Sequence, residues 1–105
     1  MAKLDDFIEV MANHIGKANG IRGEDLAEKL DIHPRILRNL TGLAIEKGIS
    51  VCGQPNTGYY IAMNAKEVEE TCQFHRSRAM HELVKESRLR KVSLADLLGQ
   101  MKLSS

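Results

Sequence analysis

Aromatic side chains are scarce in this sequence. Two Phe, two Tyr and no Trp make up 4% of it, so any core has to be built from Leu, Ile, Val, Ala and Met. That palette favours helices over sandwiches or barrels, which draw on aromatic and β-branched residues. Cysteine is equally sparse: Cys52 and Cys72 are too few for the disulfide framework of a small secreted domain. The opening residues MAKLDDFIEV lack the apolar stretch of a signal peptide, and both features point to a reducing cytoplasm. No apolar run approaches the roughly 18 residues that span a bilayer, so no membrane insertion is expected. With only 2 Pro and 8 Gly, collagen-like and disordered compositions are excluded. No Gly-rich phosphate loop, paired-carboxylate motif or Cys–His pair with an orienting third group is visible. The reading is therefore against an enzyme, and no cofactor is expected.

What is present is a chain of 105 residues, 43% hydrophobic and 28% charged, which is enough for one module. Fifteen basic against 14 acidic residues leave a net charge of +1, but the distribution is uneven. Residues 75–92 hold six basic groups, Arg76, Arg78, Lys85, Arg88, Arg90 and Lys91, and two acidic ones. Such a run can line a polyanion or form the solvated face of a helix, its commoner meaning.

Periodicity orders the rest. Leu4, Phe7, Ile8, Met11 and Ile15 step along one face of a first helix that Gly16–Gly20 ends. Residues 23–30, with acidic groups near the start and Leu26, Ala27 and Leu30 on one side, form a two-turn second helix. A tight connection at Asp31-Ile32 leads to a third helix that starts at Pro34 and runs to Lys47, closed by Gly48. Its apolar stripe is Ile36, Leu37, Leu40, Leu43 and Ala44. Two short runs, 49–52 and 59–62, flank the turn cluster Gly53–Gly58 and predict a β-hairpin. Asn64 caps a long fourth helix with Glu67 in capping-box position. Val68, Cys72, His75, Ala79, Leu83 and Ser87 share a face of it that outruns a small core. Ser93 starts a last helix with Leu94, Leu97, Leu98 and Met101 inward. Cys72 and His75, with His81 beyond, are too few ligands for a structural zinc site and read as buried helix-face residues; no metal is expected. Tyr59 and Tyr60 can stack on a base, but one of two consecutive strand residues points to the core, so core anchoring is expected.

Helix, short helix, tight turn, longer helix and hairpin is the order of a winged helix-turn-helix. Residues 22–61, RGEDLAEKLDIHPRILRNLTGLAIEKGISVCGQPNTGYYI, resemble without a gap the amino-terminal domain of the biotin operon repressor and related type-11 regulators. The agreement lies in Gly23-Glu24, Leu26, Leu30, Leu37, Gly48 and Pro55-x-x-Gly58-Tyr59. The chain departs from that pattern in lacking a ligase domain, in Asp31 where the family often has Gly, in His33-Pro34 at the third-helix start, and in a hairpin tip without Lys or Arg. Residues 59–84 also resemble small phage or prophage helix-turn-helix proteins.

The resemblance implies a mostly α fold with a small β-hairpin, a winged helix-turn-helix domain over 1–63, and a helical extension over 64–105 that packs on it or dimerises. It implies a sequence-specific double-stranded DNA-binding protein in transcriptional regulation or phage replication control; the apolar face of the C-terminal helices, more than a small core can cover, is expected to make a homodimer. Arg35, Arg38 and Asn39 on the third helix are the readout candidates, since Arg grips guanine O6/N7 and Asn pairs with adenine. His33 caps that helix or touches phosphate, and Arg22 and Lys29 flank the DNA backbone. The alternative is a winged-helix protein–protein interaction module, an adaptor or inhibitor of a host or replication protein that does not bind DNA.

Overall fold

A computed structural model describes residues 2–101; residue 1 and residues 102–105, the outer ends of the two expected segments, lie outside the described residues. The protein is mostly helical with one small antiparallel hairpin. It divides into two compact units, one ending at Thr71 and the other beginning at Cys72.

The first unit holds α1 (Ala2–Met11), a 3-10 turn (Lys17–Asn19), α2 (Gly23–Leu30), α3 (Ile36–Glu46), β1 (Val51–Gln54), β2 (Gly58–Ile61) and the first turns of α4 (Ala65–Arg90). Leu4, Phe7 and Met11 of α1, Leu26, Ala27 and Leu30 of α2, and Leu37, Leu40 and Ala44 of α3 meet in one core with Ile21 and Val51. Each set recurs at the three- and four-residue spacing that puts side chains on one face of a helix. Ile36 and Leu43, expected on the α3 stripe, are instead 39% and 38% exposed at its margins.

The helix ends are set by hydrogen bonds more than by propensity. Asp31 sits at φ 54 just past α2, and the N–H of Ile32 donates to Ala27 O at 3.0 Å while that of Asp31 donates to Glu28 O. This is a Schellman closure with Asp in the position glycine usually takes. Gly48 at φ 90 closes α3 the same way, Ile49 N–H reaching Ala44 O. The Lys3 ammonium donates to Leu30 O at 3.1 Å, tying α1 to the end of α2. α3 begins at Ile36, two residues later than expected, because the bonds from Ile36 to His33 O and Leu37 to Pro34 O wind Pro34-Arg35 into a tighter turn.

α1 ends at Met11, and Ile15 leaves it. Its neighbours are claimed by β2: Ile61 N–H donates to His14 O and Gly16 N–H to Ile61 O, both at 2.8 Å, while Ile21 and Tyr59 exchange bonds of 2.8 and 2.7 Å. The hairpin is also displaced from the expected 49–52 and 59–62. Ile49 is spent on closing α3, and only Pro55, Asn56 and Thr57 form the turn. Thr57 Oγ1 accepts from Gln54 N–H, and Gly58 at φ 75 completes the reversal.

The hairpin is buried on both faces. Val51, Tyr59 and Ile61 pack against the helical core. Cys52 and Tyr60 face each other across the strands and point the other way, Cys52 Sγ lying 3.8 Å from Glu67 O of α4. Tyr60 is wholly buried, so both tyrosines anchor, one to each side.

Asn64 caps α4 as expected, accepting the Glu67 N–H at 3.0 Å. The Glu67 carboxylate reaches back to Met63 N–H at 2.9 Å and across to Lys17 N–H at 3.0 Å. These donors, Met63 first and Lys17 second, hold its carboxyl below the usual 4.5 against the opposing effect of burial. Beside it the Glu70 carboxylate, 3.0 Å away, raises the Lys17 ammonium above 10.5; that pair is exposed and adds little.

The second unit holds the later turns of α4 and α5 (Leu94–Met101). Lys91 at φ 59, with Val92 N–H on Ser87 O, turns the chain, and Ser93 Oγ caps α5 through Asp96 N–H at 3.0 Å. Leu97 is buried and Leu83, Val84, Leu94 and Leu98 are half-buried. The expected inward face of α4 is not inward over its middle: Cys72, His75 and Ala79 are exposed, as is every residue from 75 to 82.

Two outcomes follow. A Cβ at position 58 would meet Ile21 O at 2.5 Å and require positive φ. Gly58→Ala is therefore expected to cost at least about 1–2 kcal/mol in urea unfolding from conformation alone; unchanged stability would contradict the described β2–Ile21 contact. Glu67 stabilises the fold above pH 4.5 and loses that contribution as pH falls through its lowered folded value. Glu67→Gln should lower the melting temperature at neutral pH, and the gap from wild type should close on acidification through that window.

Candidate functional site

α3 is backed by its core residues Leu37, Leu40 and Ala44. At about 100° per residue, Arg35, Asn39, Gly42 and Glu46 then fall on one line facing away from that core, with Arg38 beside it. Arg35, Arg38 and Asn39 are all exposed. Their region is the start of the helix, the positive end of its dipole.

That start is unusual within this chain. α1, α2, α4 and α5 each place an acidic residue in the first turn, namely Asp5, Glu24 with Asp25, Glu67 and Asp96. α3 has none. An acid there would stabilise the helix by roughly 0.3–1 kcal/mol, and the chain carries Arg35 and Arg38 in its place. The start of α3 is thus free of acid and flanked by cations.

Of the other expected contacts, His33 is exposed and its Nδ1 accepts the Arg35 N–H at 3.2 Å, so it caps the turn into α3. Arg22 and Lys29 are exposed at opposite ends of α2, and Arg22 lies 3.9 Å from Glu24 with both side chains over 80% exposed. Position alone links these two to the α3 group. Hairpin-tip residues 54–57 bear no charge. Cys72, His75 and His81, read as buried or paired on one face, are exposed, and among the described residues no three His, Cys, Asp or Glu side chains converge.

Sequence reasoning missed the margins of this surface. Ile36, Leu43 and Ile45 are 39%, 38% and 48% exposed and flank Gly42, whose position has open space on its outer side. The helical wheel centred on Leu37, Leu40 and Ala44, rather than on all five apolar residues, would have put them at the edges.

Charge is divided between the units. Residues 1–71 carry eight basic and eleven acidic groups, a net −3, and residues 72–105 carry seven and three, a net +4. No protein-family model, curated protein or solved structure matches the chain. Among the described residues no helix is long and apolar enough to cross a membrane.

Gly42 is held in a helix interior at about 1 kcal/mol relative to Ala, with nothing within 4 Å that a methyl group would strike. Gly42→Ala should raise the unfolding free energy by up to that amount, a melting shift of several degrees. A loss of stability would mean that the outer face of α3 is not open.

Proposed function

We propose that the chain is a sequence-specific double-stranded DNA-binding regulator, built as a winged helix-turn-helix, that lays α3 in the major groove. The observation that carries this reading is the start of α3, free of acid, with Arg35, Arg38 and Asn39 exposed around it. These side chains supply the donors that read guanine and adenine edges. Support for the fold reading comes from the order of α1, α2, α3 and the hairpin, and from residues 14–21, whose bonds to β2 fix the hairpin to the helices. Arg22, Lys29 and the hairpin tip supply positioning contacts at most. The setting is a cytoplasmic homodimer joined through the C-terminal helices, acting in transcription or in phage replication. Exposed Leu89, Met80 and Met101 on those helices favour the dimer; a monomer in sedimentation at high micromolar concentration would remove it.

A second reading is that α3 docks on a protein. The net −3 of the N-terminal unit, the uncharged tip and exposed Ile36, Leu43 and Ile45 favour it. One experiment separates the two. Selection of bound duplexes from a random library at about 50 mM salt should yield a defined site. Arg35→Ala and Arg38→Ala should each weaken binding to it by about 1–3 kcal/mol if bidentate to a base, with unchanged melting temperature. Affinity unchanged from wild type in both variants would remove α3 as the reading element. No binding to any duplex at that salt would overturn the DNA reading in favour of the protein partner, because even non-specific binding rests on this electrostatic attraction.

A further inference from the structure

The six basic residues of 75–92 do not form one surface. On α4, Arg78, His81, Lys85 and Arg88 recur at steps of three, four and three, which stacks them along a single stripe about 15 Å long. With Glu82 and Val84 they border one open cleft of about 410 Å³. Arg76 falls some 200° from Arg78, Arg90 is held by Glu86 at 2.7 Å, and Lys91 lies past the helix end. Half of the basic charge is thus gathered on a face and half is scattered.

The stripe is poorly neutralised. Glu82 pairs with Lys85 at 3.4 Å with both side chains at least 70% exposed, a pair that water screens strongly. Arg78 stands 5.8 Å from the Phe74 ring centre, an interaction that orients the guanidinium without cancelling its charge. All four side chains of the stripe are exposed, on the unit whose net charge is +4.

We propose that this stripe is a track for the phosphate backbone of duplex DNA, separate from α3, and that it supplies the sequence-independent affinity that an N-terminal unit of net −3 does not. Duplex DNA presents a charge every 1.7 Å or so along its axis, so a 15 Å row of cations meets several phosphates without needing a base. The track requires only that the chain meets a duplex, and it stands whether or not α3 reads sequence.

The test uses the full chain and two charge-matched triple variants. Arg78→Gln, Lys85→Gln and Arg88→Gln together remove the stripe; Arg76→Gln, Arg90→Gln and Lys91→Gln together remove equal charge elsewhere. All six sites are exposed, and circular dichroism checks that both variants keep the helical fold. Affinity for a fixed duplex is measured from 50 to 200 mM salt. Each phosphate contact contributes about 0.9 to the slope of log affinity against log salt, so the stripe variant should lose about 2.7 per bound chain. Its deficit relative to wild type should shrink some 40-fold across that range, with base preference intact. The scattered variant should keep the wild-type slope. Equal slopes in wild type and the stripe variant, or equal losses in both variants, would overturn the track while leaving α3 as a reading element. Binding of the stripe to polyglutamate with no measurable duplex affinity would overturn it in favour of an acidic protein surface. Failure of Arg35→Ala and Arg38→Ala to alter site preference would count against α3 alone.

Discussion

The backbone of residues 14–21 occupies the edge of β2 that β1 leaves free, and the first unit depends on that pairing. Four hydrogen bonds, all between 2.7 and 2.8 Å, run between His14, Gly16 and Ile21 on one side and Tyr59 and Ile61 on the other. A two-stranded hairpin alone is marginal in water. Here its second edge is satisfied by the connection between α1 and α2, so the hairpin cannot move without moving the helices. The close approach also explains two residue choices. Gly20 and Gly58 lie where a Cβ would strike the opposing backbone, Thr57 O in one case and Ile21 O in the other. Lys17, in the middle of the same connection, passes the constraint on through its N–H to Glu67 and thus to the start of α4.

This constraint was the least legible part of the sequence. The helices show in the spacing of Leu, Ile and Met, because a one-sided core imposes a 3.6-residue period over two turns or more. Ile15 and Ile21 join β2 as isolated bridges, too short to impose any alternation, and Ile15 also fits the α1 period. Only the tertiary bonds decide that it leaves the helix. The hairpin edges failed for a related reason: Ile49 is β-branched, but its N–H is taken by Ala44 O. Likewise Gly48 announces the end of α3, whereas Asp31 and Lys91 make the same positive-φ closure with residues that carry no such signal.

The α3 surface was more legible than its surroundings. Arg35, Arg38 and Asn39 stand off the core wherever the helix is drawn, since their positions relative to Leu37 and Leu40 settle it. The long α4 face was misjudged because Val68, Cys72, His75 and Ala79 keep a helical spacing without the hydrophobicity to bury it. Small and polarisable residues at regular intervals gain too little from burial to demand a partner, and residues 75–82 are left exposed.

The division of charge follows partly from folding itself. Short helices need help at their ends, and in this chain most of that help is acidic: Asp5, Glu24, Asp25 and Glu67 all serve first turns in the N-terminal unit. Such use makes the unit net negative before any partner is considered. A surface there that is to meet a polyanion must therefore be local, a few cations at one helix start from which acids are kept away, as at α3. The later turns of α4 carry no such burden, since a helix 26 residues long propagates by its own hydrogen bonds far from its ends. Its exposed face is free to collect Arg and Lys in register, at little cost to stability. A few cations at a helix start and a longer row of charge along a helix place opposite demands on helix ends and helix middles, and this chain puts each on the element that tolerates it.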